Sequence, residues 1–461
     1  MTSAFQTTFT DIMLYDSPSS FIITLNSFHS INNMKSIFIW LVILAGALGL
    51  FYYQQNRYFF SDNLIYPQAG QDRSSVESLS GLGYLNFLRA AAGLNSLSNS
   101  PVLERSARRH AKYLLINPED GHDEKHRNNQ FYTGYKPSDR ARKAGYYFDG
   151  VHENISTGEY RHQDGFKNTL VLHEQTDALM TAIYHRFSLL DQNIDEAGVA
   201  VEHGNGKTAV VFNQGNREFN HWCSLGRSYP EAGRRFYKNS CFNGSIVYAD
   251  EIKNQTKLAY IAYPKGNFAA PDFYGEHPDP MPGYEFTGNP VSIAFSDDGG
   301  EVKMLSFKLY QGKNEIDKTK ILDKYTDPNG QLTDKQFALF PLSPLEYDTT
   351  YRAVFEYSQN GKKQKAEWTF KTKKPDYPYF VVNGGETLAV KPDNIYFIHW
   401  KNHWCLRECE KITFRQRGDA KLEVLERKPG GFLVRLKGKT GTAVRLMPNE
   451  ETEKAVVLFI E

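Results

Sequence analysis

The sequence is poor in cysteine and has almost no net charge. It contains four cysteines in 461 residues and a formal net charge of +1 at pH 7. Because nucleic-acid binding depends on a strongly basic surface, such a chain gives no indication of a nucleic-acid partner. The sequence also lacks HExxH and any serine or cysteine nucleophile in a recognisable motif. No common class of hydrolase is therefore indicated.

Long apolar runs are also scarce, and the one that exists lies near the N-terminus. Residues 36–53 carry no charge. At about 1.5 Å per residue, this run is just long enough to cross a hydrocarbon core of about 30 Å. We expect residues 34–53 to form a transmembrane anchor, with the rest of the chain in the periplasm or at the cell exterior. Alternatively, they form a cleaved signal and the protein is secreted.

Residues 1–33 contain no lysine or arginine. Met34-Lys35, by contrast, would be an ordinary start for an export signal. We therefore expect translation to begin at Met34. Residues 1–33 would then be a non-native or disordered extension.

The four cysteines form two pairs that are close in sequence, Cys223 with Cys241 and Cys405 with Cys409. In an exported chain this spacing predicts two local disulfides. His399 and His403 precede the second pair, and all four side chains could ligate zinc. Structural zinc sites usually separate their two ligand pairs by a dozen or more residues, whereas here only Trp404 intervenes. A disulfide is the preferred prediction.

Two tryptophans of this segment, Trp400 and Trp404, have two interpretations. Core packing is the simpler one. Stacking of an exposed aromatic pair on sugar rings is the alternative.

The pattern along the chain predicts an α+β protein with several domains. Leucines at 82, 85 and 88 predict a helix, and Ser100-Pro101 predicts the start of another. That second helix has an apolar stripe at Leu103, Ala107, Ala111 and Leu114. Its basic face is either solvated or a patch for an anionic wall polymer or lipid.

Later segments predict one more helix and then mainly strands. A helix is expected at about 168–184, and a hairpin that turns at Asn205-Gly206 follows it. Short alternating runs continue to the C-terminus. The predicted divisions are a linker at 54–78, an α+β domain at 79–262, a proline-rich connector at 263–287, an Ig-like β-sandwich at 288–374 and a small β domain at 375–461.

Histidines are concentrated in the first domain, since nine of the thirteen lie between His110 and His221. Three residues are the strongest candidates for a site: His122 in GHDE, Glu153 in HENI and His185 in YHR. Two imidazoles and a carboxylate can hold a divalent cation and lower the pKa of its bound water. In an extended segment, Glu153 would face the site while Asn154 turns inward to the backbone.

These motifs and their order resemble the CAP superfamily, the cysteine-rich secretory, antigen 5 and pathogenesis-related 1 proteins. LNFLRAAAGLNSL, GYKPSDRARKAGY, HENI and YHRFSLLDQNIDEAGVAV are similar to segments of its bacterial secreted form. The resemblance covers about 79–215. It implies an α-β-α sandwich whose cleft holds two histidines and two glutamates, and which binds a divalent cation, such as zinc, in some members.

Carried over by position, His122 and His185 would be the imidazoles and Glu153 the first carboxylate. His152 replaces the family's glycine and could add an imidazole to the site. The second carboxylate is not evident, and Glu174 and Glu124 are the candidates. In one unbroken helix, Glu174 and His185 would lie about 16 Å apart. Either the helix breaks near Tyr184 or Glu174 is outside the site.

Taken together, these features predict an exported, envelope-associated protein whose His/Glu cleft binds a ligand or divalent cation. The expected partner is a cell-wall polymer, a lipid or an envelope protein, with the membrane reached through residues 36–53. One alternative is a metal-assisted hydrolase of cell-wall glycan or peptide that uses His122, Glu153 and His185. Another is a purely structural or adhesive surface protein. Catalysis is the less favoured interpretation.

Overall fold

The computed structural model describes most of the chain after residue 77. The described residues are 40–48, 60–61, 64–65, 78–159, 168–204, 206–252, 257–273, 275–284, 287–375, 377–401, 412–428 and 430–461. They fall into two compact units, Met1–Phe59 and Phe60–Glu461. In the first unit, residues 40–48 are helical. Most of the predicted anchor at 34–53 and all of residues 1–33 lie outside the described residues. Within the described chain, no helix combines the length and apolarity needed to span a membrane.

The second unit begins with two very short strands, β1 (Phe60–Ser61) and β2 (Leu64–Ile65). The first domain then contains six α-helices and six strands among its described residues. The helices are α1 (Gly81–Ala91), α2 (Pro101–Leu114), α3 (Pro137–Ala144), α4 (Asn168–Thr181), α5 (Ile183–Leu189) and α6 (Arg217–Ser224). The strands are β3 (Ser98–Asn99), β4 (His152–Glu159), β5 (Glu196–Gly204), β6 (Lys207–Gly215), β7 (Phe236–Tyr237) and β8 (Val247–Tyr248).

The central sheet of this domain has the strand order β3-β5-β6-β4 and helices on both faces. Val210 and Phe212 of β6 pack in a core with α1 and α4. Val211, which points to the opposite face, packs against Ala107 and Ala111 of α2. Alternation along β6 therefore separates two cores, which gives the predicted α-β-α layering. The antiparallel pairing of β5 with β6 also confirms the predicted hairpin.

A buried disulfide closes the loop after the central sheet. Cys223 of α6 is bonded to Cys241, as predicted. Both sulfurs lie in a small core with Val247 of β8. The disulfide therefore fixes the loop between α6 and β8 to the domain.

The remainder of the chain is formed from strands. The first group is β9 (Tyr260–Tyr263), β10 (Gly266–Ala269), β11 (Val291–Phe295), β12 (Val302–Gln311), β13 (Asn314–Glu315), β14 (Thr319–Leu322), β15 (Gln336–Pro341), β16 (Thr350–Gln359) and β17 (Lys362–Thr372). They form two sheets, β10-β17-β16-β12-β13 and β14-β15-β11-β9, which share one apolar core. The immunoglobulin type predicted for this pair of sheets stays a prediction.

The predicted connector at 263–287 is not simply an extended spacer. Its first residues belong to β9 and β10, which pair with β11 and β17. Strand pairing therefore begins before the proline-rich part. Alternation along β9 explains this pairing, because Ala262 is buried in the core of the two sheets, whereas Ile261 is buried in the core formed with α1 and α4.

The C-terminal strands build a second pair of sheets. They are β18 (Tyr379–Val382), β19 (Thr387–Val390), β20 (Ile395–Trp400), β21 (Ile412–Arg417), β22 (Lys421–Lys428), β23 (Gly431–Lys437), β24 (Ala443–Pro448) and β25 (Val456–Ile460). The sheet orders are β1-β19-β25-β24-β21 and β2-β18-β20-β23-β22. Strands β1 and β2 come from the segment predicted as a linker at 54–78. Each pairs with a strand of the C-terminal domain.

Candidate functional site

The three strongest candidates from the sequence meet at one end of the first domain. His122 lies in the turn after α2, Glu153 is the second residue of β4 and His185 is the third residue of α5. His122 Nδ1 lies 3.1 Å from Glu153 Oε1. The rings of His122 and His185 have their centres 6.4 Å apart. Sequence reasoning therefore selected residues that are neighbours in space.

Exposure differs sharply among these side chains. The side chain of His122 is 45% exposed and that of His185 is 15% exposed, whereas that of Glu153 is 1% exposed. The imidazoles therefore reach solvent, and the carboxylate lies behind them. A ligand from solution would meet the histidines first.

Because side chains alternate along β4, Glu153 and Asn154 point to opposite faces of the sheet and make different contacts. Glu153 pairs with Asn213 of β6, whose amide nitrogen lies 3.0 Å from Glu153 Oε2 in the orientation that satisfies both of its polar ends. Asn154 is buried on the other face, where its amide donates to Ser188 Oγ at 3.0 Å and to Gln214 Oε1 at 2.5 Å. Asn154 thus turns inward as predicted, although its partners are side chains rather than backbone.

Glu153 is held by a buried guanidinium. Arg140 of α3 donates to Glu153 Oε1 at 2.7 Å, and His110 Nε2 of α2 lies 3.6 Å from the same oxygen. Burial alone would raise the pKa of Glu153. The adjacent His110 and Arg140, with the hydrogen bond from His122, outweigh burial and lower the pKa of Glu153 to about 2. Glu153 is therefore a fixed carboxylate at neutral pH.

Glu124, one candidate for the second carboxylate, supports the loop that carries His122. Its Oε1 lies 3.0 Å from His110 Nδ1, and its Oε2 accepts from the backbone N–H of Thr133 at 2.7 Å. Arg140 Nε lies 3.8 Å away. The Glu124 side chain is fully buried. It thus stabilises the site from behind and does not reach solvent.

Glu174, the other candidate, does not join the site. Among the described residues, it has no hydrogen bond or ion pair with His122, Glu153 or His185. Helix α4 ends at Thr181, and the backbone of Ala182 is extended (φ −74°, ψ 114°) before α5 begins. The helix therefore breaks just before Tyr184, and His185 lies in a new helix.

The second carboxylate comes from a residue that sequence reasoning missed. Glu276, in the proline-rich segment, lies with its Oε1 2.7 Å from His185 Nδ1. The same oxygen accepts from the backbone N–H groups of Tyr184 at 2.9 Å and His185 at 3.0 Å. The Glu276 side chain is fully buried. We refer to His122, Glu153, His185 and Glu276 as the cleft.

The two histidines of the cleft have the same hydrogen-bond arrangement. Each Nδ1 is bonded to a buried carboxylate, Glu153 for His122 and Glu276 for His185. No described residue is bonded to either Nε2. A carboxylate on Nδ1 favours the tautomer in which Nε2 carries the lone pair. Histidines that bind metals have this pairing, and it also suits a ligand that donates a hydrogen bond.

A zinc ion fits this donor set only in part. Zinc lies about 2.0–2.1 Å from an imidazole nitrogen, and hence about 3.2 Å from the ring centre. The 6.4 Å between the ring centres of His122 and His185 then corresponds to a linear arrangement. Tetrahedral binding would require the rings to approach by about 1 Å. After such an approach the cleft would offer two imidazole ligands, with the other positions open.

Among the described residues, the one group of three potential metal ligands that lie close together is outside the cleft. Glu119, Asp120 and His126 have ligand atoms within 4.8 Å of one another. Asp120 Oδ2, however, already accepts from the Tyr113 hydroxyl, from the backbone N–H of Lys125 and from His126 Nδ1. This group is accounted for as a support of the loop after α2.

His152 does not add an imidazole to the cleft. It is exposed and lines a groove of about 360 Å³ together with Ser188, Asp191 and Lys335. Neighbouring residues of a strand point to opposite faces, so His152 and Glu153 are directed away from each other. The histidine that replaces the family's glycine therefore lies in this groove and not in the cleft.

The histidines and tryptophans near the C-terminus are explained by packing as far as they are described. His399 is buried, with Nδ1 3.1 Å from Gly430 O and Nε2 3.4 Å from Glu346 Oε2. Trp400 is buried in the C-terminal core, which rules out its stacking on a sugar. His403, Trp404 and the predicted Cys405–Cys409 disulfide lie outside the described residues.

Sequence reasoning also missed His110 and Arg140, although the sequence contains an indication of each. His110 falls beside Ala107, Ala111 and Leu114 at helical spacing, which predicts that it points inward. Arg140 lies in GYKPSDRARKAGY, one of the segments that carried the family resemblance. Glu276 gave no such signal, because its contact with His185 spans 91 positions.

The sequence profile of the CAP family, the cysteine-rich secretory protein family, matches residues 82–214. No curated protein sequence shows significant similarity to the chain. Among solved structures, the chain is similar to an outer surface protein from Borrelia burgdorferi, with 19% identity and a TM-score of 0.24. That match covers 33% of this chain and 98% of the Borrelia protein.

Two further solved structures are similar to parts of the chain. An extracellular protein containing an SCP domain, from Bacillus anthracis, has 22% identity and a TM-score of 0.22 over 29% of this chain. The match spans 38% of the Bacillus protein. A titin fragment has 12% identity and a TM-score of 0.15 over 42% of this chain and 95% of the fragment. At these TM-scores, none of the three supports a functional conclusion.

Proposed function

Residues 82–214 form a CAP domain, and on this premise we propose that the protein is exported and binds a ligand through His122 and His185. One observation carries the proposal. Two neighbouring imidazoles reach solvent, each is oriented by a buried carboxylate at Nδ1, and neither Nε2 is bonded to a described residue. A histidine nitrogen that is oriented in this way and has no partner can bind a divalent cation such as zinc. It can also accept a hydrogen bond from a polar ligand.

Export is supported by the cysteines. The Cys223–Cys241 disulfide is formed, and disulfides persist in oxidising compartments. The apolar run at 36–53 is suited to an anchor or a signal. A cell-wall polymer, a lipid or an envelope protein would then be the partner within reach.

Hydrolysis is not favoured by any contact in the cleft. A metal-bound water would need a base, but Glu153 is paired with Arg140 and His122, and Glu276 is bonded to His185. Both carboxylates are therefore committed to orienting other groups. Turnover of cell-wall glycan or peptide is accordingly an outcome to test and not our proposal.

The proposal is tested by calorimetric titration of the full chain with Zn²⁺. His122→Gln and His185→Gln should each weaken binding by at least tenfold, because each removes one of the two nitrogen ligands. His152→Gln is the matched control, since it removes an exposed imidazole from the opposite face of β4, and it should bind as the wild type does. Equal binding by all three variants and the wild type would overturn the assignment.

The same variants test the partner. Isolated cell-wall material, incubated with wild type and sedimented, should retain the protein, and the His122→Gln variant should be retained less. Release of soluble glycan or peptide during this incubation would instead support the hydrolase. Thermal unfolding of each variant must match that of the wild type for either result to count.

A further inference from the structure

Helix α5 is attached to the β-rich region by three consecutive side chains. The Tyr184 hydroxyl donates to Asp327 and accepts from Asn329 Nδ2 at 2.9 Å. The next residue, His185, bonds to Glu276. Both segments that supply these partners lie beyond residue 214, where the family match ends. The position of α5 therefore depends on chain outside the CAP domain.

Arg186 completes this attachment. Its guanidinium is fully buried and donates to Pro290 O at 2.6 Å, to Asn289 Oδ1 at 2.6 Å and to Ser292 Oγ at 3.1 Å. Burial lowers the pKa of Arg186 to about 10, so the group remains charged at neutral pH. A buried charge with this many directed bonds allows little movement.

Glu276 is the residue of this interface that belongs to the cleft. It is bonded to both the ring and the backbone N–H of His185, and so fixes the orientation of the side chain together with its main chain. Its other oxygen, Oε2, is buried and has no hydrogen-bond partner among the described residues. No lysine or arginine among them lies within 4.0 Å of it, and buried Arg186 interacts with it only over a longer distance. A buried carboxylate in this condition favours a positive charge nearby.

We infer that Glu276 is the positioning residue for His185, and that the cleft becomes a cation site only when the segment around Glu276 is packed against α5. This inference rests on the proposed function and deepens it in two respects. The ligand is a cation or a cationic group rather than an anion. Its affinity is set partly by a residue outside the CAP domain, so the β-rich region and the cleft act together.

The first test is titration of the full chain with Zn²⁺. Glu276→Gln keeps the shape but removes the charge, and it should weaken binding by about 10- to 100-fold, as loss of a carboxylate behind a histidine ligand does. Asp279→Asn is the matched control, because Asp279 is an exposed acid of the same segment. Its affinity should stay within about twofold of wild type. Inorganic phosphate, used as the anionic probe, should not bind, and saturable binding of phosphate would overturn the cation assignment.

The second test does not depend on any ligand. In the full chain labelled with ¹⁵N-histidine, NMR distinguishes a protonated ring nitrogen from one with a lone pair, and His185→Gln identifies the signals. In the wild type at about pH 8, Nδ1 of His185 should be protonated and Nε2 should carry the lone pair. Glu276→Leu removes the acceptor altogether, whereas the amide oxygen of a glutamine could still accept from Nδ1. Glu276→Leu should give a mixture of both tautomers, with His122 unchanged. A purely structural role would leave the tautomer unaffected.

The two tests distinguish the cation function of the cleft from the positioning role of Glu276. A wild type without affinity for Zn²⁺ overturns the cation function, while the tautomer of His185 still decides the role of Glu276. An unchanged tautomer in Glu276→Leu overturns the positioning role even if zinc binds. If Glu276→Gln or Glu276→Leu does not fold, Glu276→Asp replaces it. This variant keeps the charge on a shorter side chain and should shift the His185 tautomer and the zinc affinity in the same direction, and the absence of both shifts would overturn the inference.

Discussion

At the scale of single residues, Glu153 stabilises the fold in addition to orienting His122. It is the only carboxylate among the described residues that bonds directly to the buried guanidinium of Arg140 within 3.5 Å. Removing it leaves that buried charge with only the more distant Glu124 carboxylate, 3.8 Å away. Loss of the direct partner of a buried charge is strongly destabilising. A variant of Glu153 that loses ligand binding would therefore say little about the ligand.

Stability should respond strongly to this residue. Glu153→Gln should lower the free energy of unfolding by about 3 kcal/mol, measured by urea denaturation of the full chain. Glu202→Gln is the control, because Glu202 lies 3.5 Å from an exposed arginine, Arg108, and should cost less than about 0.5 kcal/mol. Equal stability of the two variants would contradict the network described for Arg140.

The same carboxylate predicts how stability depends on acid. The pKa of Glu153 is lowered from its usual 4.5 to about 2 in the folded protein. Its contribution is therefore complete above about pH 4.5 and is lost as the pH falls to about 2. The stability difference between wild type and Glu153→Gln should shrink across this range. A difference that stays constant down to about pH 2.5 would show that Glu153 has an ordinary pKa.

At the scale of elements, the parts of the site that could be predicted are those specified locally. The helix beginning at Pro101 and the hairpin at 196–215 follow from caps, turns and periodicity. Their order along the chain carried the family resemblance that selected His122, Glu153 and His185. The break between α4 and α5 was foreseen only as an alternative. The attachment of α5 was not foreseen, because its partners lie about 90 to 145 positions away.

The contact between α2 and β5 offers a sharp test of the layering. At Gly198 an added Cβ would lie 1.9 Å from the backbone N of Glu104, so a larger residue would force the helix off the sheet. Gly198→Ala should cost about 3 kcal/mol by urea denaturation. Gly204→Ala, in the same strand, would meet only a leucine methyl group at 3.3 Å and should cost less than about 1 kcal/mol. Reversal of this order would contradict the packing of α2.

At the scale of the whole molecule, the segments that were predicted as spacers are built into domains. The predicted connector contributes β10 and Glu276, and the predicted linker contributes β1 and β2. Two-residue strands and single contacts leave almost no periodic signal in a sequence. The helices and the hairpin of the first domain were therefore predictable, whereas the connections between domains were not.

The disulfide fastens the loop between α6 and β8 to the first domain. Replacing Cys223 and Cys241 together by alanine opens a loop of 18 residues, and the lost constraint on the unfolded chain should cost about 3 kcal/mol. Thermal unfolding at a fixed scan rate would measure this loss. A melting temperature within about 1–2 °C of wild type would show that the loop is held by its small core alone.

Strand β1 pairs with β19, and β2 pairs with β18. Truncating the chain at the start of the predicted first domain, residue 79, would therefore damage the C-terminal domain. A polypeptide that starts at residue 79 would lack both short strands and would uncover two sheet margins with unpaired amide groups, which are templates for self-association. Such a truncated protein should form oligomers in size-exclusion chromatography, and one that starts at residue 58 should stay monomeric. The chain leaves its C-terminal domain to make the CAP domain and then returns to it, so the two are best isolated as one piece.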